Sequence, residues 1–401
     1  MPHVSKALWF DKSVSRKCGI DILSVMFSKN HIQFLQCLSA YYDGKIPVAD
    51  LGNACTILDC DDYRQAYYKA HFLLVRGKEV NNDKELELAL KEVERSLFLK
   101  NDNTILDLTN FPKELVGINF QVIIGFNINI ANIYFLGGQI KAMLGDYEGS
   151  LDYYKNFQLH VGPDTEHTMQ FAHQRLYLFR SCSEYTIKDL INNRLTLARP
   201  NRLNDPFDCL IFPWRERLDA NCEEKTHVKP LADSYDYFRI RSFVLGNNKR
   251  SFKKDCVSNQ LMWSHYADEH RGICILYDFS EQLIQNTDTC RNYFMKVDYA
   301  NKKDKLNLDE KSISVQKGFA TKSSNWKYEN EVRLISYDCS TESDFAYANL
   351  DSDSKIKAIF FGLRCSEDDM NTIRKIAGNE IEYYKMEADC HNIYQLSVKK
   401  V

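Results

Sequence analysis

Near residue 165 the hydrophobic spacing of this 401-residue chain changes period. Before that point apolar residues recur at intervals of three and four, the signature of helices that bury one face, and strand signals are nearly absent. After about residue 170, short runs rich in aromatic and β-branched residues alternate with turns, the texture of an α+β domain. Side chains repeating every 3.6 residues and every 2 residues need different packing partners. The sequence therefore predicts two domains, a helical one over residues 1–165 and an α+β one over 172–401, with Gly162-Pro163-Asp164 in the connection.

The clearest helical segment runs from Ala131 to Phe157. Tyr134 sits on its first helix, Gly138 where two helices would approach, Leu144-Gly145-Asp146-Tyr147 at a turn, and Ser150 and Tyr154 on a second helix. This segment resembles a tetratricopeptide repeat, departing from it at Gly137 and Phe157. A weaker pair precedes it, from Tyr63 to Val75 and from Leu86 to Leu97, with Gly77 to Lys84 as the connection. One helix pair cannot bury its own apolar face, so two units imply stacking with further helices, including Ile20 to Tyr42. The resemblance implies a concave surface for a protein or peptide partner, with Tyr67, Tyr68 and Tyr134 as candidate anchors. A purely structural helical cap is the alternative.

Hydrophobic residues at 44% supply enough apolar surface for both cores. A net charge of −3 argues against coating a polyanion or an anionic bilayer, which leaves nucleic acid only as a substrate. The first residues lack the apolar core of a signal peptide, and the most apolar window, Val122 to Gly138, carries Asn127, Asn129 and Asn132. Thirteen cysteines without C-x-x-C pairs read as reduced thiols. A cytoplasmic protein is expected.

In the second domain the candidate strands are Leu176 to Phe179, Leu195 to Ala198, Ile273 to Tyr277, Val332 to Ser336 and Ile356 to Phe361. The candidate helices are Ile187 to Asn193, Cys256 to Ala267 and Glu367 to Ala377. Four motifs stand out: Leu176-Tyr-Leu-Phe-Arg180-Ser, Leu197-Ala-Arg199-Pro-Asn-Arg202-Leu-Asn204-Asp205-Pro206-Phe207-Asp208, Leu261-Met-Trp263-Ser264-His265-Tyr266-Ala-Asp268-Glu-His270-Arg-Gly272, and Lys322-Ser-Ser-Asn-Trp326-Lys-Tyr328-Glu329-Asn-Glu331-Val-Arg333-Leu-Ile. In that order they resemble the domain of unknown function 2971 family, over about residues 175 to 385.

Strand alternation places Glu329, Glu331 and Arg333 on one face and Tyr328, Val332 and Leu334 on the other. Two carboxylates two residues apart also resemble the E-x-E motif of ADP-ribosyltransferases, in which an early strand bears Arg or His and a middle element bears Ser or Tyr. Arg180, Ser264-His265-Tyr266 and Glu331 follow that order. The resemblance implies NAD as the consumed ligand. Glu331 would stabilise an oxocarbenium-like ribose and Glu329 would orient or deprotonate the acceptor. Arg180 would hold the pyrophosphate, and Trp263 or Tyr266 would stack on a ring. Ser264, His265 and Arg202 complete the candidate set, with no metal expected.

Each role has a structural rival. Glu331 can pair with Arg333, Arg180 can neutralise Asp205 or Asp208, and Trp263 and Tyr266 can be core. His265 and His270 are five apart and diverge on a helix, unlike a zinc pair. Asp205, Asp208, Glu329 and Glu331 could instead gather around Mg²⁺ in a nuclease. The leading expectation is an ADP-ribosyltransferase-like, NAD-consuming effector, as in microbial anti-phage defence or toxin systems, regulated through its helical domain. A non-catalytic sensor or adaptor and a metal-dependent nuclease are the alternatives.

Overall fold

The structure is a computed structural model that describes residues 29–47, 63–100, 129–161, 169–205, 207–209, 228–249, 255–280, 288–301, 318–389 and 395–401, together with positions 50, 52, 251 and 392. The predicted connection at Gly162-Pro163-Asp164, Pro206, and positions 20–28 and 122–128 of the predicted segments lie outside them.

The described residues form two compact units, an all-helical one and an α+β one. The helical unit contains α1 (Lys29–Tyr42), α2 (Tyr63–Val80), α3 (Asp83–Leu99), α4 (Ile130–Met143) and α5 (Tyr147–His160). Two hairpins, α2–α3 and α4–α5, stack through α3 against α4. The connection within the first is shorter than the predicted Gly77–Lys84, because α2 runs on to Val80 and only Asn81 and Asn82 turn the chain. Asn81 takes a left-handed φ of 49°, and the Asn82 side chain caps α3 by accepting from the Lys84 N–H. Asn129 and Asn132 form a reciprocal capping box on α4 and Asp146 caps α5, so each start is written in the sequence. Gly137 and Gly138 let α4 lie against α5: a Cβ on them would come within 2.2 Å of the Tyr153 ring and 2.7 Å of the Tyr154 ring. Ser150 Oγ donates to the Gly138 carbonyl across the same contact.

This unit also takes in a helix from far along the chain. Helix α7 (Val228–Ser234), which lies in sequence within the predicted second domain, packs on α5, with Tyr147 bonded to Asp233 and the Gln158 amide donating to Ser234 Oγ at 3.2 Å.

The second unit is built on a ten-stranded sheet. Its strands are β1 (Leu176–Arg180), β2 (Arg194–Ala198), β3 (Phe238–Leu245), β4 (Ile273–Asp278), β5 (Cys290–Lys296), β8 (Glu331–Asp338), β9 (Phe345–Asn349), β10 (Lys355–Phe361), β11 (Glu382–Ala388) and β12 (Leu396–Lys400). A separate two-stranded parallel ribbon joins β6 (Asp298–Ala300) to β7 (Thr321–Ser323). All five predicted strands and the helix α9 (Glu367–Ala377) are present. Helix α6 (Glu184–Ile191) begins three residues earlier than expected, and Cys256–Ala267 divides into a 3₁₀ turn and α8 (Gln260–Tyr266).

Alternate residues of the sheet feed two cores. Leu176, Leu178, Phe243, Ile273, Ile275, Val332 and Leu334 fill one face beneath α6 and α9. Tyr177, Phe179, Val244, Cys274 and Leu276 fill the other beneath α8. The sheet forks at β3. One edge of β3 pairs with β8 along its whole length, from Phe238↔Tyr337 to Val244↔Glu331. The other edge is shared: β2 meets it at Ala198↔Ile240 and β1 at Tyr177↔Val244 and Leu176↔Leu245. Between those two attachments lie Arg241, Ser242 and Phe243, where the arms diverge.

Candidate active site

A cleft of about 270 Å³ opens at this fork. Its walls include Phe179 of β1, Ala198 of β2, Ile240 to Val244 of β3 and Met262 of α8, and its polar lining is Arg202, Asn204, Asp208, Arg241, Ser242, His265, Tyr266, Lys322, Glu329 and Glu331.

The chain approaches β8 through a 3₁₀ helix, Ser324–Glu329, and a single left-handed residue, Asn330 at φ 44°. Glu329 therefore closes a helix instead of sharing the strand with Glu331, a correction to simple alternation. Asn330 holds the turn by donating from Nδ2 to the Leu245 carbonyl at 2.7 Å. The bend still brings both carboxylates to one place, because the parallel ribbon lays Lys322 of β7 between them. Lys322 Nζ lies 2.7 Å from Glu329 Oε2, 3.3 Å from Glu331 Oε2 and 3.6 Å from Asp208 Oδ2. Arg333, two residues along β8 and wholly buried, binds Glu331 Oε1 through Nε at 2.7 Å and Asp208 Oδ2 through Nη2 at 2.6 Å. Its remaining donor, Nη1, reaches the Phe319 carbonyl at 2.7 Å. The Glu331 N–H donates to the Tyr299 hydroxyl on β6 at 2.8 Å.

Three carboxylates thus face two cations, and the two glutamates respond differently. Burial works against ionisation of Glu331, but the charges of Arg333 and Lys322 and their hydrogen bonds outweigh it and hold the carboxyl at about 2. For Glu329 burial wins and its carboxyl is raised, despite Lys322 and the hydrogen bond that the Tyr266 hydroxyl donates to it. Burial, and then Glu329, also push the Tyr266 phenol up. Lys322 stays charged because Glu331, Glu329 and Asp208 overcome its desolvation. The result is a permanently ionised carboxylate beside a carboxyl that takes up a proton more readily, linked to a phenol.

Of the eight candidate residues, Glu331, Glu329, Tyr266, His265 and Arg202 line this cleft. Three do not. Arg180 stands off it with Nη1 2.5 Å from Asp189, a buried carboxylate that also accepts from the Thr196 N–H and hydroxyl, so its partner is neither a pyrophosphate nor Asp205 or Asp208. Trp263 is wholly buried, stacked edge-on against Phe179 with its indole N–H on the Val257 carbonyl, so no ligand ring can reach it. Ser264, one residue further round α8, is exposed and its Oγ meets His270 Nε2 at 3.1 Å. The ring beside His265 is Trp326, edge-on at 6.2 Å, with Lys322 Nζ 5.0 Å over its face.

Lys322, Asn204, Arg241 and Ser242 complete the cleft without having been assigned roles from sequence, and Asp208, expected beside the glutamates only as a metal ligand, meets Lys322 and Arg333 instead. Lys322 and Asp208 lie within the quoted motifs, but nothing in their spacing to Glu331 signals proximity, since a parallel ribbon and a long-range loop make it. Arg241 and Ser242 belong to β3, whose Phe-Arg-Ile-Arg-Ser pattern hides a buried strand: Arg239 and Arg241 are tolerated because their guanidinium groups donate to the carbonyls of Ser343 and Thr196.

Among the described residues no helix is long and apolar enough to cross a membrane. No curated protein and no solved structure gives a significant match to the chain. The model of the family described as protein of unknown function (DUF2971) matches residues 262–334, the stretch that carries Tyr266, Lys322, Glu329, Glu331 and Arg333.

Proposed function

We propose that the second unit cleaves the nicotinamide–ribose bond of NAD, as an ADP-ribosyltransferase-like enzyme or NAD glycohydrolase. The observation that carries this reading is the pair of carboxylates in one cleft whose environments drive their protonation apart. As the bond to the nicotinamide nitrogen breaks, that nitrogen takes the bonding electrons and positive charge develops on the ribose. The ionised Glu331 stabilises it. The acceptor hydroxyl, or water, attacks the same carbon and passes its proton to Glu329 directly or through Tyr266. Of the guanidinium groups on the cleft wall, the exposed Arg202, which also pairs with Asp344, stands as the cationic donor for the pyrophosphate in place of Arg180. His265 beside Trp326 offers a surface for a ring. The helical unit recruits or senses a protein partner, in the microbial defence or toxin setting that the resemblance implies.

A second reading has its own support: Glu331 is only 3% exposed and both its oxygens are engaged, as in a purely structural ion cluster within a ligand-binding module. The nuclease alternative is disfavoured because Lys322 and Arg333 fill the space between Asp208, Glu329 and Glu331 that a divalent ion would take. Nicotinamide release from NAD decides between the first two. The wild type should turn over NAD, and Tyr266→Phe and Glu329→Gln should lose at least ten-fold in kcat while remaining folded. Variants that keep full turnover would leave the structural reading.

A further inference from the structure

On the same unit, away from the cleft, Cys182, Cys365 and Asp369 place their sulfur and carboxylate atoms within 4.8 Å of one another. Cys182 follows β1 and Cys365 directly precedes the N-cap of α9, so residues 183 positions apart in sequence meet where two loops converge. We infer that Cys182 and Cys365 form a peroxide-reactive thiol pair, with Cys365 the attacking sulfur and Cys182 the resolving one.

The surroundings distinguish the two sulfurs. Cys365 is 6% exposed and lies just ahead of α9, whose first-turn N–H groups favour negative charge. The Lys385 ammonium is held beside it by a 2.7 Å bond to its own carbonyl. The Cys365 thiol is lowered, chiefly by the neighbouring Cys182 thiol and then by Lys385, against the opposing effects of burial, Asp369 and Glu367, and its own weak contact runs to the Ser366 carbonyl at 3.8 Å. The Cys182 thiol is raised, by Cys365 and then by burial, and its sulfur lies 4.0 Å from the Arg271 carbonyl. Asp369 is occupied in the α9 cap, accepting from Ser366 Oγ at 2.6 Å. Cys182 is half-buried, which gives an oxidant access to the pair.

In the chemistry that follows, the Cys365 thiolate attacks a hydroperoxide, the O–O bond breaks, and the alkoxide leaves to take a proton from solvent. The Cys365 sulfenic acid is then attacked by Cys182: the S–O bond breaks, the S–S bond forms, and water leaves with the Cys182 proton. Two thiols have lost two electrons and one hydroperoxide has been reduced to an alcohol and water. A thiol reductant reverses the change. The bond would tether the end of β1, whose Phe179 lines the cleft, to the β10–α9 loop.

The test treats the full-length chain with stoichiometric hydrogen peroxide, followed by digestion and mass spectrometry. We expect a dithiothreitol-reversible link, two hydrogens lighter, between the peptides carrying Cys182 and Cys365, forming at least ten-fold faster than oxidation of the half-buried Cys290 or Cys339. In Cys182→Ser the reaction should stop at a dimedone-trapped sulfenic acid on Cys365, and Cys365→Ser should leave Cys182 unlabelled. Absence of the link in the wild type, or oxidation no faster than at the two control cysteines, would overturn the inference. So would a stoichiometric zinc ion in the purified protein that blocks both thiols and is lost in either variant, because the cluster would then be a metal site.

Discussion

In the proposed reaction Glu331 would meet two opposing demands. A catalytic carboxylate must present free charge to a substrate, whereas this one neutralises Arg333 and Lys322 in the protein interior. Replacing it by Gln leaves the buried Arg333 with Asp208 as its remaining carboxylate, so a cost of about 3 kcal/mol in unfolding free energy, the low end for breaking a buried pair, is expected, read by urea denaturation. Loss of turnover in Glu331→Gln is therefore ambiguous by itself. The pH dependence is more specific. The Glu331 carboxyl sits at about 2 in the folded protein, below its ordinary 4.5, so the stability it contributes is present above pH 4.5 and is lost as pH falls toward 2. That contribution is about 3 kcal/mol, and the wild-type advantage over Glu331→Gln should shrink by that order between those pH values. Glu329 is raised, which reverses the sign: its ionisation costs stability as pH rises above 4.5, so Glu329→Gln should be neutral or stabilising at pH 7 if Lys322 remains satisfied by Glu331. At Arg180, Ala should lower stability by leaving Asp189 with only the longer 3.5 Å contact to Arg194 as ion pair, and should leave nucleotide affinity unchanged in calorimetric titration.

At the scale of elements, close backbone approaches constrain sequence more tightly than propensity does. Gly272 immediately precedes β4 at a point where a Cβ would come within 2.1 Å of the Arg180 carbonyl oxygen, and Gly362 immediately follows β10 with 2.2 Å to the His270 carbonyl. Both lie beside a turn in which Asp268, Glu269 and His270 all have positive φ. No side chain rotates out of a backbone clash, so Gly272→Ala should cost about 1–3 kcal/mol, and the loss should be visible as a lowered Tm. In the helical unit Gly137 lies where α4 packs on α5. A Leu there would drive a side chain into the Tyr153 ring, so Gly137→Leu is expected to destabilise α4 and α5, where hydrogen exchange should accelerate.

For the whole molecule, α7 changes what can be cut out. A fragment ending at residue 165 retains α4 and α5 but lacks the helix that packs on α5, and it leaves Gln158, otherwise buried, without its Ser234 partner. Amides of α5 should therefore exchange faster in the fragment than in the full chain, and adding residues 216–235 through a linker should restore protection. Equal protection without α7 would mean that the hairpin is self-sufficient.

The sequence by itself determined the α+β class, the change of texture between the units and the strands whose apolar runs are uninterrupted, because local periodicity and capping residues are sufficient for those. It also singled out Glu329 and Glu331 as carboxylates on an otherwise apolar segment, and Tyr266 within the Ser264-His265-Tyr266 cluster. Only the tertiary structure decided which of the candidates meet. Arg180 and Trp263 belong to motifs as conspicuous as those of Glu331 and Tyr266, yet one is drawn to Asp189 and the other into the core, since one residue along a strand or a helix changes the face it occupies. Lys322 and Asp208 come to Glu331 through a parallel ribbon and a loop more than a hundred residues away. Strong ion pairing of that kind is a property of distance, which sequence separation does not encode.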